Sequence, residues 1–160
     1  QSAIPAIQAY LAQGTRNPSS LIMFDRDNFK LANDVFGHDF GDTMIVQNAR
    51  KLKSYFRSDD IVCRIGGDEF IVLCKNISEK DVEAKLVRIV DEMSMTRRGG
   101  GRDIVFSLSA GYVMVPEQGT DFDDLYHKAD VALFAAKMCG KCAFRKYEAS
   151  MKNIRIELAE

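Results

Sequence analysis

Two apolar runs, Ile61 to Ile65 and Phe70 to Cys74, are parted only by Gly66-Gly67-Asp68-Glu69, and this restricts the fold more than any other feature of the chain. Four residues with two glycines can join adjacent antiparallel strands, but they cannot carry the long crossover that parallel neighbours need. Leu21 to Phe24, Ile104 to Val115 and Ala143 to Tyr147 also read as strands, and helical patterns lie between them. Ile4, Ile7 and Leu11 share one helical face, and Phe29 to Phe36 is a short helix closed by Gly37. Ile45, Ala49, Leu52 and Phe56 form a stripe within Asp39 to Phe56. Val82, Leu86, Ile89, Val90 and Met93 form another, and Phe122, Leu125, Ala129, Leu133 and Ala136 a third. Ser78 with Asp81, and Thr120 with Asp123, have the spacing of capping boxes that open the last two helices. Thr96 to Asp103, holding a run of glycines, reads as a loop inside one domain, and Gly111 as a bulge or bend in its strand. The expected order is α β α α β β α β α β. That order makes an α+β fold with a central, mainly antiparallel five-stranded sheet flanked by helices; a doubly wound parallel sheet fits worse.

Composition narrows the function classes. An apolar content of 46% over 160 residues fills one core, so residues 1–147 are expected to be a single domain. A net charge of −1 gives no global attraction to nucleic acid or an anionic membrane, so any nucleotide site is local. The longest apolar stretches, Phe70 to Cys74 and Val131 to Ala136, fall far short of the roughly 20 residues of a spanning helix. With no basic-then-apolar opening segment and four cysteines in no regular framework, reduced thiols in the cytoplasm are expected, either in a free protein or in the cytoplasmic part of a membrane-anchored one. Cys139 to Cys142 is formally a CxxC, but no second pair completes a zinc site. Arg97, Arg98 and Arg102 lack interleaved aromatics and read as a solvated loop, not a nucleic-acid contact. Residues 148–160 are polar and helix-favouring, and are expected to lead as a linker helix toward a further domain.

The chemistry concentrates in acids. Asp25 and Asp27, two apart at a strand end, send both carboxylates off the same face. Asp68 and Glu69 sit at the hairpin tip behind two glycines that allow positive φ and close approach of a phosphate to the backbone. Three or four carboxylates brought together from adjacent strand ends repel one another unless a hard cation such as magnesium, with substrate phosphates, neutralises them. Lys137 and Lys141, four apart, reach the same side as two phosphate-binding charges would. Each feature taken alone serves equally as solvating charge, plain turn or helix surface.

Together, though, these residues carry a resemblance. Arg64-Ile65-Gly66-Gly67-Asp68-Glu69-Phe70 resembles the signature of the GGDEF family of diguanylate cyclases. Phe24 to Lys30, Asn33-Asp34, Gly37-His38 and Gly41-Asp42 resemble its second block, Ser107 to Gly111 its SxG strand, and Ala129 to Lys137 its last helix. The resemblance spans about residues 20 to 147, with several motifs in order.

It implies a palm-like, nucleotidyl-cyclase fold that condenses two GTP into cyclic di-GMP and releases two pyrophosphates across a homodimer, one GTP per domain. It further implies that Asp25, the Arg26 carbonyl and Asp68 bind Mg2+ or Mn2+, and that Asp68 or Glu69 assists deprotonation of the 3′-hydroxyl. Asn33 and Asp42 would read guanine and ribose, with His38 beside them. Gly66 and Gly67 would admit the phosphates, and Lys137 and Lys141 would hold them. Arg57-Ser58-Asp59-Asp60 fits the family's RxxD motif, in which Arg57 and Asp60 bind product in feedback inhibition.

Three departures stand out. The family's opening DxLTGLxNR block is not seen ahead of the second block, Lys141 stands where arginine is more frequent, and Arg26 where the family is commonly apolar. The implied partners are GTP, cyclic di-GMP, a second copy and further domains of a parent chain, with no nucleic acid and no direct membrane contact. The segment after Tyr147 resembles a linker toward an EAL phosphodiesterase domain. The alternative is a catalytically weak or inactive module that binds GTP or cyclic di-GMP within such a protein.

Overall fold

A computed structural model describes residues 3–14, 17–66, 68–99, 101–140 and 143–152. In chain order its elements are α1 (Ile4–Ala12), β1 (Ser19–Arg26), α2 (Phe29–Phe36), α3 (His38–Ser54), β2 (Ile61–Arg64), β3 (Glu69–Cys74), α4 (Glu79–Glu92), β4 (Met95–Gly99), β5 (Arg102–Phe106), β6 (Leu108–Val115), α5 (Phe122–Met138) and β7 (Phe144–Lys146). A 3-10 turn, Ala149–Met151, follows. Five strands form one sheet in the order β2-β3-β1-β6-β7. The hairpin pairs β2 with β3, and β1 lies antiparallel between β3 and β6. The sheet is nevertheless mixed, because β7 reaches its edge through α5 and runs parallel to β6.

Strand β1 is covered on both sides, and its alternation sorts the core. Ile22 and Phe24 face a cluster with Leu52 of α3 and Val82, Leu86 and Ile89 of α4. Leu21 and Met23 face the opposite cluster with Ile7 and Leu11 of α1 and Leu125, Ala129 and Leu133 of α5. The sheet is thus sandwiched between two helical layers, and the next residues of β1, Asp25 and Arg26, inherit opposite sides.

Three local expectations are corrected. Thr96 to Asp103 is not a loop: β4 and β5 form their own antiparallel hairpin, with Thr96 opposite Val105 and Arg98 opposite Asp103. Ile104 to Val115 is not one strand. It breaks at Ser107, so that β5 joins the small hairpin and β6 the main sheet. Gly111 makes no bulge, since β1 and β6 pair without interruption from Ser19–Val115 to Arg26–Leu108.

Helix α4 opens as expected, with Ser78 Oγ accepting from the Asp81 amide at 3.2 Å. In α5 the cap is Asp121, one residue beyond Thr120, and it accepts from the Asp124 amide at 3.2 Å. Asp121→Ala is therefore expected to cost about 1 kcal/mol, read as a drop of about 2–4 °C in thermal midpoint. Thr120→Ala should stay within about 0.5 kcal/mol of the parent. Of the segment expected to lead away from the domain, Met151 is buried against Val131, Ala132 and Ala135, and residues 153–160 lie outside the described residues. Cys63, Cys74 and Cys139 are free thiols; Cys142 lies outside the described residues. Among the described residues no helix is long and apolar enough to cross a membrane.

Candidate active site

Asp25 and Asp27 follow Leu21 and Met23 in the alternation of β1, which turns both toward α5. The same-face arrangement is formed: Lys137 Nζ of α5 lies 2.8 Å from Asp25 Oδ2 and 3.1 Å from Asp27 Oδ1. The convergence of three or four carboxylates is not. Asp27 is buried, and its carboxylate accepts from Ser107 Oγ at 2.6 Å and Ser109 Oγ at 3.0 Å, which ties the end of β1 to β6. Those serines, two apart at the start of β6 and just ahead of it, are the signal in the sequence that could have separated Asp27 from Asp25.

The hairpin tip folds over the end of β1. Asp25 stands opposite Glu69, and the Arg26 amide donates to the Asp68 carbonyl at 3.1 Å. Burial, and then the nearby Asp25 carboxylate, push the Asp68 carboxyl up to about 6. Asp25 Oδ1 is buried with no hydrogen-bond partner. Burial works against the charge on Lys137, but Asp25 and then Asp27 more than offset it, so the ammonium holds its proton above the ordinary lysine range. Asp130, Leu133, Phe134 and Lys137 recur on one face of α5, and with Asp25 and Glu69 they line a cavity of about 290 Å³. Asp130 is a pocket residue that sequence reasoning passed over, although its spacing of seven from Lys137 marks the shared face.

This donor set fits a hard divalent cation. It offers an orphaned buried carboxylate oxygen beside a carboxyl that holds its proton unusually tightly, both relieved by an added positive charge. Among the described residues no three acidic, histidine or cysteine side chains converge on one point. The protein's share would then be Asp25, Asp68 and the Arg26 carbonyl, with water and phosphates supplying the rest, as magnesium commonly requires.

The other expected residues fall into two groups. Asn33 of α2 lies against Gly41 of α3, where a Cβ would come within 1.8 Å of Asn33 Oδ1. That close approach leaves Asn33 Oδ1 buried without a partner. His38 and Asp42, one turn apart on α3, are exposed beside it. In the RxxD segment Arg57 is about half exposed, while the Asp60 carboxylate is buried. Asp60 accepts from the Arg57 and Lys75 amides, both at 2.9 Å, and Arg57 donates to the Lys75 carbonyl. Asp60 therefore shapes the loop from which Arg57 projects. Gly66 does not use the positive φ that a glycine allows, and a Cβ there would make only ordinary contacts, 3.7 Å and beyond, with Glu69. Gly67 and Lys141 lie outside the described residues.

The largest omission in the sequence reading is the Arg26 side chain. It is buried and donates from Nη1 to the Met93 carbonyl at 2.5 Å and from Nη2 to Asn48 Oδ1 at 2.6 Å.

Comparison with known proteins agrees with this architecture. A family model described as diguanylate cyclase, GGDEF domain, matches residues 5–142. Diguanylate cyclase DgcP of Escherichia coli is 33% identical over 79% of this chain and 38% of its own length. Cyclic di-GMP phosphodiesterase PdeR, also of Escherichia coli, is 34% identical over 86% of this chain and 21% of its own. The chain thus spans a minor part of these curated relatives. A GGDEF-only form of TpbB (YfiN) from Pseudomonas aeruginosa superposes with a TM-score of 0.85 at 31% identity, covering 98% of this chain and 91% of that one. The active GGEEF domain of a diguanylate cyclase from Vibrio cholerae gives 0.81 at 29% identity, covering 92% and 95%. With a family model matched over most of its length and its acidic strand end and hairpin tip in one place, the chain belongs to the GGDEF domain family of diguanylate cyclases.

Proposed function

We propose that this domain condenses two GTP into cyclic di-GMP, with release of two pyrophosphates, at a homodimer interface. The observation that carries the reading is the orphaned Asp25 oxygen facing Asp68 beneath Lys137. In each half reaction a 3′-oxygen forms a bond to the α-phosphorus of the other GTP, the bond from that phosphorus to the bridging oxygen breaks, and pyrophosphate leaves. Asp68 or Glu69 takes the 3′-hydroxyl proton. Asp25, Asp68 and the Arg26 carbonyl would hold Mg2+ or Mn2+, which would supply Lewis-acid stabilisation of the developing charge.

Lys137 exchanges its carboxylate partners for phosphate oxygens and works with Lys141, while Gly66 and Gly67 leave room over the turn. Asn33 and Asp42 read guanine and ribose beside His38; an aspartate can accept the N1 and N2 hydrogens that guanine offers. Because each domain holds one GTP, catalysis rests on bringing two copies into register. Arg57, on the loop shaped by Asp60, binds product in feedback inhibition. Residues 1–147 form the catalytic unit, 148–160 lead toward further domains, and the protein works in the cytoplasm.

A second reading, a GTP- or cyclic di-GMP-binding module without turnover, is favoured by the likeness to PdeR and by Lys137 already neutralising the acids. Turnover of GTP with Mg2+ by the purified domain separates the two. Cyclic di-GMP that forms faster than linearly with protein concentration, in a time course that bends as product accumulates and straightens in Arg57→Ala, supports the cyclase. Tight nucleotide binding without product supports the module.

A further inference from the structure

We infer that Arg26 is a positioning residue whose guanidinium, anchored by Asn48 and by the ends of α4 and β5, fixes the backbone that presents Asp25 and the Arg26 carbonyl to the cation. The inference rests on the metal-site reading above and adds a side chain to it. The alternation of β1 sends Arg26 away from the acids and toward α3 and α4. There Nη2 donates to Asn48 Oδ1 at 2.6 Å, and Nη1 donates to the Met93 carbonyl at 2.5 Å and the Phe106 carbonyl at 3.4 Å. Three elements thus grip one side chain that is 3% exposed.

Electrostatics explains the choice of partners. Helix α4 ends on Asp91 and Glu92 with no basic residue in its last turn, so its terminal carbonyls draw cations from other elements, and Lys51 of α3 supplies one at the Glu92 carbonyl at 2.6 Å. Arg26 supplies another at Met93, the residue that caps the helix. Stability alone does not account for the arrangement. The guanidinium is buried away from water, and its Nε has no partner. An apolar side chain of similar volume is often as stabilising as a buried charge, or more so.

What the charge adds is rigidity at the strand end. The Arg26 amide is bound to the Asp68 carbonyl, and the Asp27 amide to the Ser107 carbonyl at 2.8 Å. Since the Arg26 carbonyl shares a rigid plane with the Asp27 amide, that second bond fixes its direction. The guanidinium holds the residue from its other side, so the carbonyl cannot turn without pulling on α3, α4 and β5.

The test is Mn2+ affinity in the presence of a non-reacting GTP analogue, followed through the free-ion electron paramagnetic resonance signal, with thermal midpoints in parallel and Asp25→Asn as the metal-site control. Arg26→Met and Asn48→Leu are expected to weaken Mn2+ binding about tenfold or more, as loss of outer support to a metal ligand does. Arg26→Lys, which reaches one acceptor, should fall between them and the parent. Asn48→Leu keeps the arginine in place and decides the matter if Arg26→Met does not fold. Parent-like Mn2+ affinity in the folded variants, with binding lost in Asp25→Asn, would overturn the role of Arg26 and leave the metal site standing. Absence of any Asp25-dependent Mn2+ binding in the parent would overturn both.

Discussion

Asp68→Asn is expected to lower GTP turnover on the order of a thousandfold and, at neutral pH, to make the metal-free domain more stable. The first effect follows from removing the proposed metal ligand and its charge. Metal stabilisation of a phosphoryl transition state is worth several kcal/mol, and each 1.36 kcal/mol is about tenfold in rate. The second follows from linkage. Asp68 is raised from an ordinary value of 3.8 to about 6, first by burial and then by Asp25. The fold therefore holds this proton more tightly than the unfolded chain does. The associated stability is fully present below 3.8 and is lost as pH rises through about 6. Asparagine keeps the neutral shape at every pH. In chelator, the thermal midpoint of the parent should fall relative to the variant between these two values and stay below it at pH 7. With Mg2+ and a GTP analogue the order should reverse, because only the parent gains binding energy from the metal complex. A variant less stable than the parent at pH 7 in chelator would remove the case for a strained, cation-seeking pair.

What could be read from the sequence was what local pattern encodes. The hairpin at Gly66 to Glu69, the stripes of α3, α4 and α5, and the facing of Asp25 and Asp27 each depend on residues close in the chain. What could not be read depends on partners far away. Thr96 to Gly99 looks like a loop because it is polar and ends in glycine, yet Gly99 is there for clearance: a Cβ would meet the Phe36 ring at 2.4 Å and Val35 at 2.9 Å. Ser107 interrupts what reads as one long strand because its carbonyl and hydroxyl both serve Asp27, 80 positions earlier in the chain. Arg26 reads only as a departure from a commonly apolar position because Asn48, Met93 and Phe106 all lie distant in sequence. Asp27 reads as one of the converging carboxylates for the same reason: spacing gives the face, and only packing tells which acid is already satisfied.

Gly111→Ala is expected to be strongly destabilising, because its methyl would meet the backbone of α5. A Cβ at Gly111 would stand 2.1 Å from the Leu133 amide nitrogen, 2.4 Å from the Ala129 carbonyl oxygen and 2.7 Å from the Ala132 carbonyl carbon. All three are backbone atoms of α5, so no rotamer change relieves the clash; either the helix lifts from the sheet or β6 leaves its register with β1. Overpacking a tight core costs about 1–3 kcal/mol where side chains can yield, and here they cannot. A loss of about 3 kcal/mol or more is expected, which at this size is a fall of about 6–12 °C in thermal midpoint. The glycine thus serves the site as well as the fold, because it sets how closely α5 carries Lys137 and Asp130 over Asp25. Gly66→Ala is the contrasting case. Its added methyl meets only the Glu69 side chain at ordinary distance, so stability should stay within about 0.5 kcal/mol, while turnover is expected to fall because the methyl would occupy space above the proposed phosphate turn. Thermal scans and GTP turnover on the two variants check both halves. If Gly111→Ala melted like the parent, α5 would not lie against β6 as described, and the placement of Lys137 beside the acids would fall with it.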